Sequence, residues 1–264
     1  MQARHVIASL ALGLGLAAAS APAQVIVTGY TETGNLPRND DDYSPAASLG
    51  FSMIFGGTTF TQVFVSNNGY LTFGEGSGQY YPSPFNADYS GLPIIAAFYS
   101  DVDTRNPAGG IVSWGTGLVE GRSAFTAKWD RVGEYSNGSS PNSFSITLVS
   151  RSDLSAGSFD LYFTYGTITW DHGSAVAGYH TGSSGNPQYY MLPGSMTTGA
   201  FLDGGTNSLA TWTNTGTSGG YLLQSRGGVM LTPATVVPEP ATVALLGGGL
   251  LIVAAGAWRR RRRA

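Results

Sequence analysis

Residues 61–73 read Thr61-Gln-Val-Phe-Val-Ser-Asn-Asn-Gly-Tyr-Leu-Thr-Phe73 and decide the fold class. Two runs rich in β-branched and aromatic residues flank Asn67-Asn68-Gly69. Such runs are typical of β-strands, and Asn-Gly tolerates the positive φ values of a tight hairpin turn. The stretch therefore predicts an antiparallel hairpin.

Short segments of the same kind recur along the chain, and no helical periodicity runs for long between residues 24 and 236. We predict further strands over 50–56, 94–100, 110–114, 122–130, 143–150, 158–165, 174–180 and 187–192. In the run 123–129, Phe125, Ala127 and Trp129 share one face, because side chains alternate along a strand. Two sheets packed through such faces would form an all-β, β-sandwich-like single domain.

The composition supports this fold class. The chain has 264 residues with 38 glycines, 12% aromatic residues and only 11% charged residues. Glycine suits the corners between strands, and aromatic residues suit pleated surfaces. There is no cysteine, which excludes disulfides, thiolate catalysis and cysteine-based metal sites.

The central part of the chain is acidic. Of the 13 basic residues, Arg4 and the five arginines at 259–263 lie outside residues 24–258, which leaves seven against all 16 acidic residues. An acidic surface repels phosphate backbones, so nucleic acid is not an expected partner.

The N-terminal residues 1–23 have the three parts of a signal peptide. Arg4 begins a short basic region, residues 6–19 are apolar, and Ala21-Pro-Ala23 supplies small residues at a cleavage site. We expect signal peptidase to cut after Ala23, which leaves Gln24 as the first residue.

The C-terminal residues 237–264 combine three features in order. Val237-Pro238-Glu239-Pro240 precedes the apolar run Ala241–Trp258, and Arg259, Arg260, Arg261, Arg262 and Arg263 follow it. The apolar run would span about 27 Å as a helix, close to the thickness of a hydrocarbon core. Arginines remain on the cytoplasmic side, so Trp258 would mark the interface and the β domain would lie outside. This helix is the only membrane contact that we predict.

This end resembles the PEP-CTERM sorting signal of Gram-negative bacteria. The resemblance implies recognition by a membrane exosortase, removal of the helix and the arginine tail, and release or surface attachment of the rest. It also implies an association with exopolysaccharide and biofilm. An ordinary C-terminal anchor that is never cut is the alternative.

The middle of the chain resembles the nidogen-like (NIDO) domain over about residues 50–193. The resemblance rests on the order of several motifs, which lie at 66–73, 93–105, 110–114, 124–129, 142–148, 159–166, 168–170 and 175–179. It implies an extracellular interaction module, and it carries over no catalytic residues. Residues 24–49 then form an N-terminal strand and an acidic loop (32–46), and residues 194–236 form weak strands or a loop that ends in a linker.

Acidic residues offer two places for a metal ion. Asp101 and Asp103 lie on one side of an extended chain, and with Asn106 they could bind Ca²⁺, which takes oxygen ligands. The competing interpretation, which we favour, is that these acids cap a turn and pair with Arg105 or with the region of Arg131. The acidic run 40–42 could also chelate, although such runs are usually solvated.

Tyrosines predict a carbohydrate-binding surface, since aromatic faces stack on sugar rings. The candidates are Tyr80, Tyr81, Tyr189 and Tyr190, with Tyr89, Tyr99 and Trp170 as further possibilities. Catalysis has no support from motifs: there is no G-x-S-x-G or H-E-x-x-H, and only His172 and His180 lie outside the signal peptide.

The sequence thus predicts an exported, exosortase-processed adhesion or interaction protein that is not an enzyme and needs no cofactor apart from the candidate Ca²⁺. Its expected ligand is an extracellular polysaccharide or a surface protein. The alternatives are a secreted polysaccharide-acting hydrolase and a self-assembling structural surface protein.

The expected processing is testable by mass spectrometry of the native protein. We expect the mature chain to begin at Gln24 and to lack residues 241–264. A C terminus at Ala264 would instead support the uncut anchor, and a reporter fused at residue 230 that is active in the cytosol would contradict export.

Overall fold

A computed structural model describes residues 27–182, 185–231 and 233. The strands in this part of the chain are β1 (Thr28–Asn35), β2 (Ala47–Phe55), β3 (Thr58–Val65), β4 (Tyr70–Thr72), β5 (Ile94–Tyr99), β6 (Val102–Asp103), β7 (Val112–Val119), β8 (Arg122–Glu134), β9 (Asn142–Ser150), β10 (Phe159–Tyr165), β11 (Val176–His180), β12 (Tyr189–Met191), β13 (Gly220–Arg226) and β14 (Val229–Leu231). Among these residues no helix has the length and apolarity needed to cross a membrane. The predicted signal peptide and transmembrane helix lie outside the described residues.

The strands form two antiparallel sheets. The eight-stranded sheet has the order β1-β7-β8-β9-β10-β13-β14, with β6 also paired to β8. The six-stranded sheet has the order β12-β11-β5-β4-β3-β2. The all-β, sandwich-like prediction is confirmed.

One large hydrophobic core lies between the sheets, and the predicted alternation supplies it. Phe125, Ala127 and Trp129 of β8 are buried in this core, paired in register with three core residues of β9. The Trp129 ring stacks on Phe144 with 5.1 Å between ring centroids and an interplanar angle of 13°. Strict alternation therefore builds the inner face of the eight-stranded sheet.

The hairpin predicted from residues 61–73 is present as β3 and β4. Phe64 pairs with Thr72, and Val65 pairs with Leu71. The turn between the strands is closed by a hydrogen bond from the Ser66 N–H to the Tyr70 carbonyl, at 3.0 Å. This prediction is confirmed.

The turn of this hairpin is buried, which its polar sequence did not indicate. Asn67 and Asn68 are both fully inaccessible to solvent. The Asn67 amide donates to the carbonyls of Asp40 and Val102, and the Asn68 side-chain oxygen accepts the Val102 N–H at 2.9 Å. The Trp129 indole N–H donates to the Asn67 carbonyl at 2.9 Å. The turn therefore joins the two sheets.

Residues outside the predicted 50–193 domain belong to the same two sheets. Residues 32–35, predicted as part of a loop, continue β1 because they pair with residues 113–115 of β7. Residues 192–219 contain no strand, yet Phe201 and Leu209 are buried in the main core. Strand β13 pairs with β10, and β14 pairs with β13, which completes the eight-stranded sheet.

Gly69 makes the buried turn possible, and its replacement tests this role. Its φ is +85°, and a Cβ at this position would overlap the Phe98 carbonyl oxygen. Gly74 is the matched control, because its φ is +91° and nothing lies within 4 Å of a built Cβ.

We expect Gly74→Ala to lower the free energy of unfolding by about 1–2 kcal/mol, from backbone strain alone. Gly69→Ala should lower it by roughly 4 kcal/mol or more, because steric overlap adds to that strain. Urea unfolding followed by far-UV circular dichroism measures both. Equal losses in the two variants would show that the close approach to Phe98 has no energetic weight.

Candidate functional site

The six-stranded sheet has a second apolar layer on the face turned away from the main core. The loop between β4 and β5, residues 73–93, covers this outer face. Its Phe85 is buried with Tyr70, Ile94, Tyr99 and Val176 in a cluster separate from the main core. The outer face is therefore a built surface under a long loop, and loops of this length are often functional.

Strand β5 is buried on both faces, because the main core covers one face and the loop 73–93 covers the other. Ile94 and Ala96 belong to the outer cluster, whereas Ile95 and Ala97 belong to the main core. A register shift against β11 then places one extra residue on β5, so that Tyr99 also faces outward. Such bulges redirect side chains.

Buried tyrosine hydroxyls hold the loop to the outer face. The Tyr99 hydroxyl donates to the Tyr81 carbonyl at 2.7 Å, and the Tyr70 hydroxyl donates to the Gln79 carbonyl at 2.9 Å. Burial raises the pKa of Tyr99, so its hydroxyl stays protonated and remains a donor. The polar ends of these rings are thus occupied by the loop, and their faces remain for packing.

The loop does not cover the whole face, and it leaves an open cleft of about 620 Å³. Tyrosine rings, the side chains of Gln79 and Asn86, and several hydroxyls line the cleft. Asp88 is the one charged side chain among the described residues that line it. The cleft thus offers ring faces and neutral hydrogen-bonding groups.

A smaller pocket of about 230 Å³ adjoins the cleft and shares Tyr81 with it. Tyr80, Asp101 and His172 line this pocket. His172 lies 3.1 Å from Glu134 through Nδ1, and its Nε2 lies 3.9 Å from the Asp101 carboxylate. This pocket therefore contains the buried carboxylate of Asp101 beside a partly exposed histidine.

Asp101 also belongs to an acidic cluster with Asp40 and Asp41. One carboxylate oxygen from each residue lies within 4.8 Å of the other two. Burial, and after it the nearby negative charge of Asp41, raise the pKa of Asp101 to about 6. The loop before β2 and the link between β5 and β6 are thus brought together at this point.

Residues 61–226 match the family model of the nidogen-like domain. This span is more than half of the chain. The chain belongs to the nidogen-like domain family. No solved structure matches it. The match extends to Arg226, in agreement with the membership of β13 in the eight-stranded sheet.

Residues 236–262 match the PEP-CTERM protein-sorting motif, a span that includes Val237–Pro240 and Trp258. Both resemblances noted from the sequence are therefore confirmed. The motif indicates processing by exosortase after export, and a final location outside the cell or at its surface. Neither matched family is a family of enzymes.

In this nidogen-like domain the predicted carbohydrate-binding tyrosines are divided among three places. Tyr81, which is 75% exposed, lines the cleft, and Tyr80 lines the adjoining pocket. Tyr189 and Tyr190 lie on edge strand β12 and line a third pocket, where Tyr190 also packs against the main core. Trp170 is buried in the core, so its inclusion was wrong.

The cleft contains tyrosines that sequence reasoning ranked lower or missed. Tyr89 and Tyr99 were named only as further possibilities, and Tyr70 was assigned to the hairpin alone. The signal that could have identified Tyr70 is the polar composition of residues 74–80, since a polar loop after β4 must be held by donors such as tyrosine hydroxyls.

The three residues predicted to bind calcium do not meet in one place. The fully buried Asp103 accepts hydrogen bonds from Arg105 Nη2 at 2.6 Å and from the Asn137 N–H at 2.6 Å. Burial opposes ionisation of Asp103, but these bonds outweigh it and lower its pKa. Asn106 bonds to Asn137 and Ala108, so Asp101 alone joins the acidic cluster. The cleavage residues Ala21, Ala23 and Gln24 lie outside the described residues.

His180 is buried beneath the loop 73–93 and supports it through a hydrogen bond. Its Nδ1 accepts the Gly182 N–H at 3.1 Å, so Nε2 carries the proton and donates to the Asn86 carbonyl at 3.1 Å. The rings of Tyr89 and Tyr189 pack beside it, with centroids at 4.5 Å and 5.4 Å. Backbone groups thus occupy both ring nitrogens.

This arrangement predicts a stability that depends on pH. Burial lowers the pKa of His180 from 6.5, whereas the unfolded chain keeps the ordinary value. As the pH falls below 6.5, the unfolded state takes up a proton that the folded state resists, so stability is lost. In the folded state, a proton on Nδ1 would also replace the hydrogen bond from the Gly182 N–H with a repulsive contact between two N–H groups.

We expect His180→Gln to remove this loss. Below 6.5, the free energy of unfolding of the wild type should fall relative to this variant by up to about 1.4 kcal/mol per pH unit. His172→Gln, at the other histidine of the described residues, is the control and should retain this loss, because His180 is still present. Urea unfolding over a pH series measures the slopes, and identical slopes for the wild type and His180→Gln would refute the assignment.

Proposed function

We propose that this nidogen-like domain is a surface or matrix adhesion module that binds an extracellular polysaccharide in its outer cleft. The observation that carries the proposal is the composition of the cleft, in which tyrosine rings alternate with amides and hydroxyls and only Asp88 is charged. Sorting by the C-terminal motif would bring this cleft to the cell exterior.

The lining fits the chemistry of sugars. The C–H face of a sugar ring stacks on an aromatic face, and its hydroxyls both donate and accept hydrogen bonds. Tyr81 offers an exposed ring, and Gln79 and Asn86 offer amides that can do both. A cleft of 620 Å³ lies within the usual range of ligand sites.

The charge of the cleft favours a neutral polymer. No Lys or Arg is among the described residues that line it, and the one charge present is negative. An anionic polysaccharide would therefore find no cation to pair with, and it would be repelled by the acidic domain.

The residues that line the cleft also argue against the hydrolase alternative. Glycosidases of most families place two carboxylates about 5–10 Å apart across the scissile bond. Asp88 has no second acidic residue among the described residues that line the cleft. The geometry therefore supports binding better than turnover.

Replacing Tyr81 by alanine tests the cleft. We expect Tyr81→Ala to weaken binding of a neutral exopolysaccharide about fivefold to tenfold, because one stacking face is lost. The substitution should leave the free energy of unfolding unchanged, because the Tyr81 side chain is exposed. Trp212→Ala is the control, since Trp212 is a half-exposed aromatic residue that does not line the cleft. Affinity electrophoresis and isothermal titration measure the binding.

Three outcomes would overturn the proposal. Equal binding by the wild type and Tyr81→Ala would show that the polysaccharide does not bind in the cleft. Release of reducing ends from the polysaccharide would favour the hydrolase. Concentration-dependent assembly of the purified protein in the absence of polysaccharide would favour the structural surface protein.

A further inference from the structure

The acidic cluster of Asp40, Asp41 and Asp101 is built from two distant segments of the chain. Asp40 and Asp41 lie in the loop before β2, and Asp101 lies between β5 and β6. Oxygen atoms of the three carboxylates lie within 4.8 Å of one another. Like charges at such distances repel, so the fold must hold them together.

The buried hairpin turn holds the cluster in place. The Asn68 amide donates to Asp41 Oδ1 at 2.9 Å, and the same side chain accepts the N–H of Val102, next to Asp101. The Asn67 amide donates to the Asp40 carbonyl. One pair of asparagines therefore positions both segments, and the cluster is not a chance meeting of surface acids.

The positive charge near the cluster is insufficient. Arg105 Nη2 lies 2.9 Å from Asp40 Oδ2, but the same nitrogen lies 2.6 Å from Asp103. One guanidinium thus serves two carboxylates, while Asp41 and Asp101 have no ion pair with Lys or Arg among the described residues. When His172, whose Nε2 lies 3.9 Å from Asp101, is neutral, at least two negative charges remain without compensation.

Two oxygen atoms in the cluster also have no hydrogen-bond donor. Asp40 Oδ1 and Asp101 Oδ1 are buried and unpartnered, and Asp101 as a whole is only 7% exposed. Buried carboxylate oxygens normally have partners, and each exception calls for an explanation such as a bound ion.

Asp160 shows how this protein satisfies a buried carboxylate elsewhere. It is 4% exposed, and its two oxygens each receive an arginine, Arg226 at 2.7 Å and Arg151 at 2.7 Å. Asp101 is buried to a similar degree, but its Oδ1 has no arginine and no other hydrogen-bond donor among the described residues. The difference indicates that a cation completes the cluster around Asp101.

We propose that Asp40, Asp41 and Asp101 bind a calcium ion. Three carboxylates supply hard oxygen ligands, which Ca²⁺ prefers, and water can complete the coordination from the exposed side of Asp41. The charge of the ion matches the two uncompensated carboxylates. This site differs from the one predicted from sequence, because Arg105 occupies Asp103 and Asn106 points to another loop.

Calcium would fasten the acidic loop to the link between β5 and β6. That link borders the pocket lined by Tyr80, Tyr81 and Asp101, so the ion would stiffen one end of the proposed binding surface. The site itself does not depend on polysaccharide binding, and the two proposals can fail separately.

Calorimetric titration of CaCl₂ into the protein purified after export and processing tests the site. We expect one site with a Kd of ~10⁻⁴–10⁻³ M, as in extracellular calcium modules. Calcium about 100-fold above Kd should raise Tm by roughly 5–10 °C. MgCl₂ should produce a clearly smaller rise, because Mg²⁺ gives up its water ligands reluctantly.

Isosteric variants locate the ion. Asp101→Asn should weaken calcium binding at least tenfold and, without calcium, should not lower Tm, because it relieves repulsion in the cluster. Asp41→Asn, at an exposed position, provides a second variant with the same expected loss. Asp42→Asn is the matched control, since this neighbouring exposed acid lies outside the cluster.

The proposal is overturned if millimolar CaCl₂ gives neither heat nor a rise in Tm. It is equally overturned if Asp42→Asn weakens binding as much as Asp101→Asn, or if Mg²⁺ stabilises as well as Ca²⁺, since either result would indicate general attraction to an acidic surface.

Discussion

The structure depends on the burial of a polar hairpin turn between two sheets. A buried amide without partners costs about 1–3 kcal/mol or more, so the turn is tolerable only when its groups are paired. Most of these groups are paired: the Asn67 side-chain nitrogen, both polar atoms of the Asn68 side chain and the Trp129 indole have partners, whereas the buried Asn67 Oδ1 has none among the described residues. Because their partners come from both sheets and from the acidic loop, the pairing fixes how these parts meet.

The buried turn also affects the outer face of the six-stranded sheet. With β4 fixed at the turn, β5 lies beside it and is buried on both faces, by the core and by the loop 73–93. Tyrosine hydroxyls then provide the loop backbone with partners that a strand would have supplied. Side-chain hydrogen bonds, and not the backbone pairing of a β-strand, hold the loop 73–93. The loop can therefore leave part of the outer face uncovered as an open cleft.

Charge is distributed unevenly in this acidic protein. Asp160 and Asp103 are buried and paired with arginines, which makes them structural. Asp101 is buried without an arginine or lysine partner among the described residues, while the cleft has Asp88 as its one charged side chain in that part of the chain. The nearly uncharged cleft carries the proposed binding of a neutral polymer, and the neighbouring cluster carries the proposed calcium site.

The sequence by itself determined the fold class, the hairpin and the strand faces, because these follow from local alternation and turn chemistry. Ordered motifs also identified the family, and the C-terminal motif indicated export and processing by exosortase. Tertiary structure alone decided that Asn67 is buried, that Tyr70 and Tyr81 meet at one cleft, and that Asp101 joins Asp40 and Asp41 and not Asp103. Adjacent residues of a strand point to opposite sides, and a bulge or a long loop changes the side without any mark in the local pattern. Contacts between distant segments therefore became visible only in the folded chain.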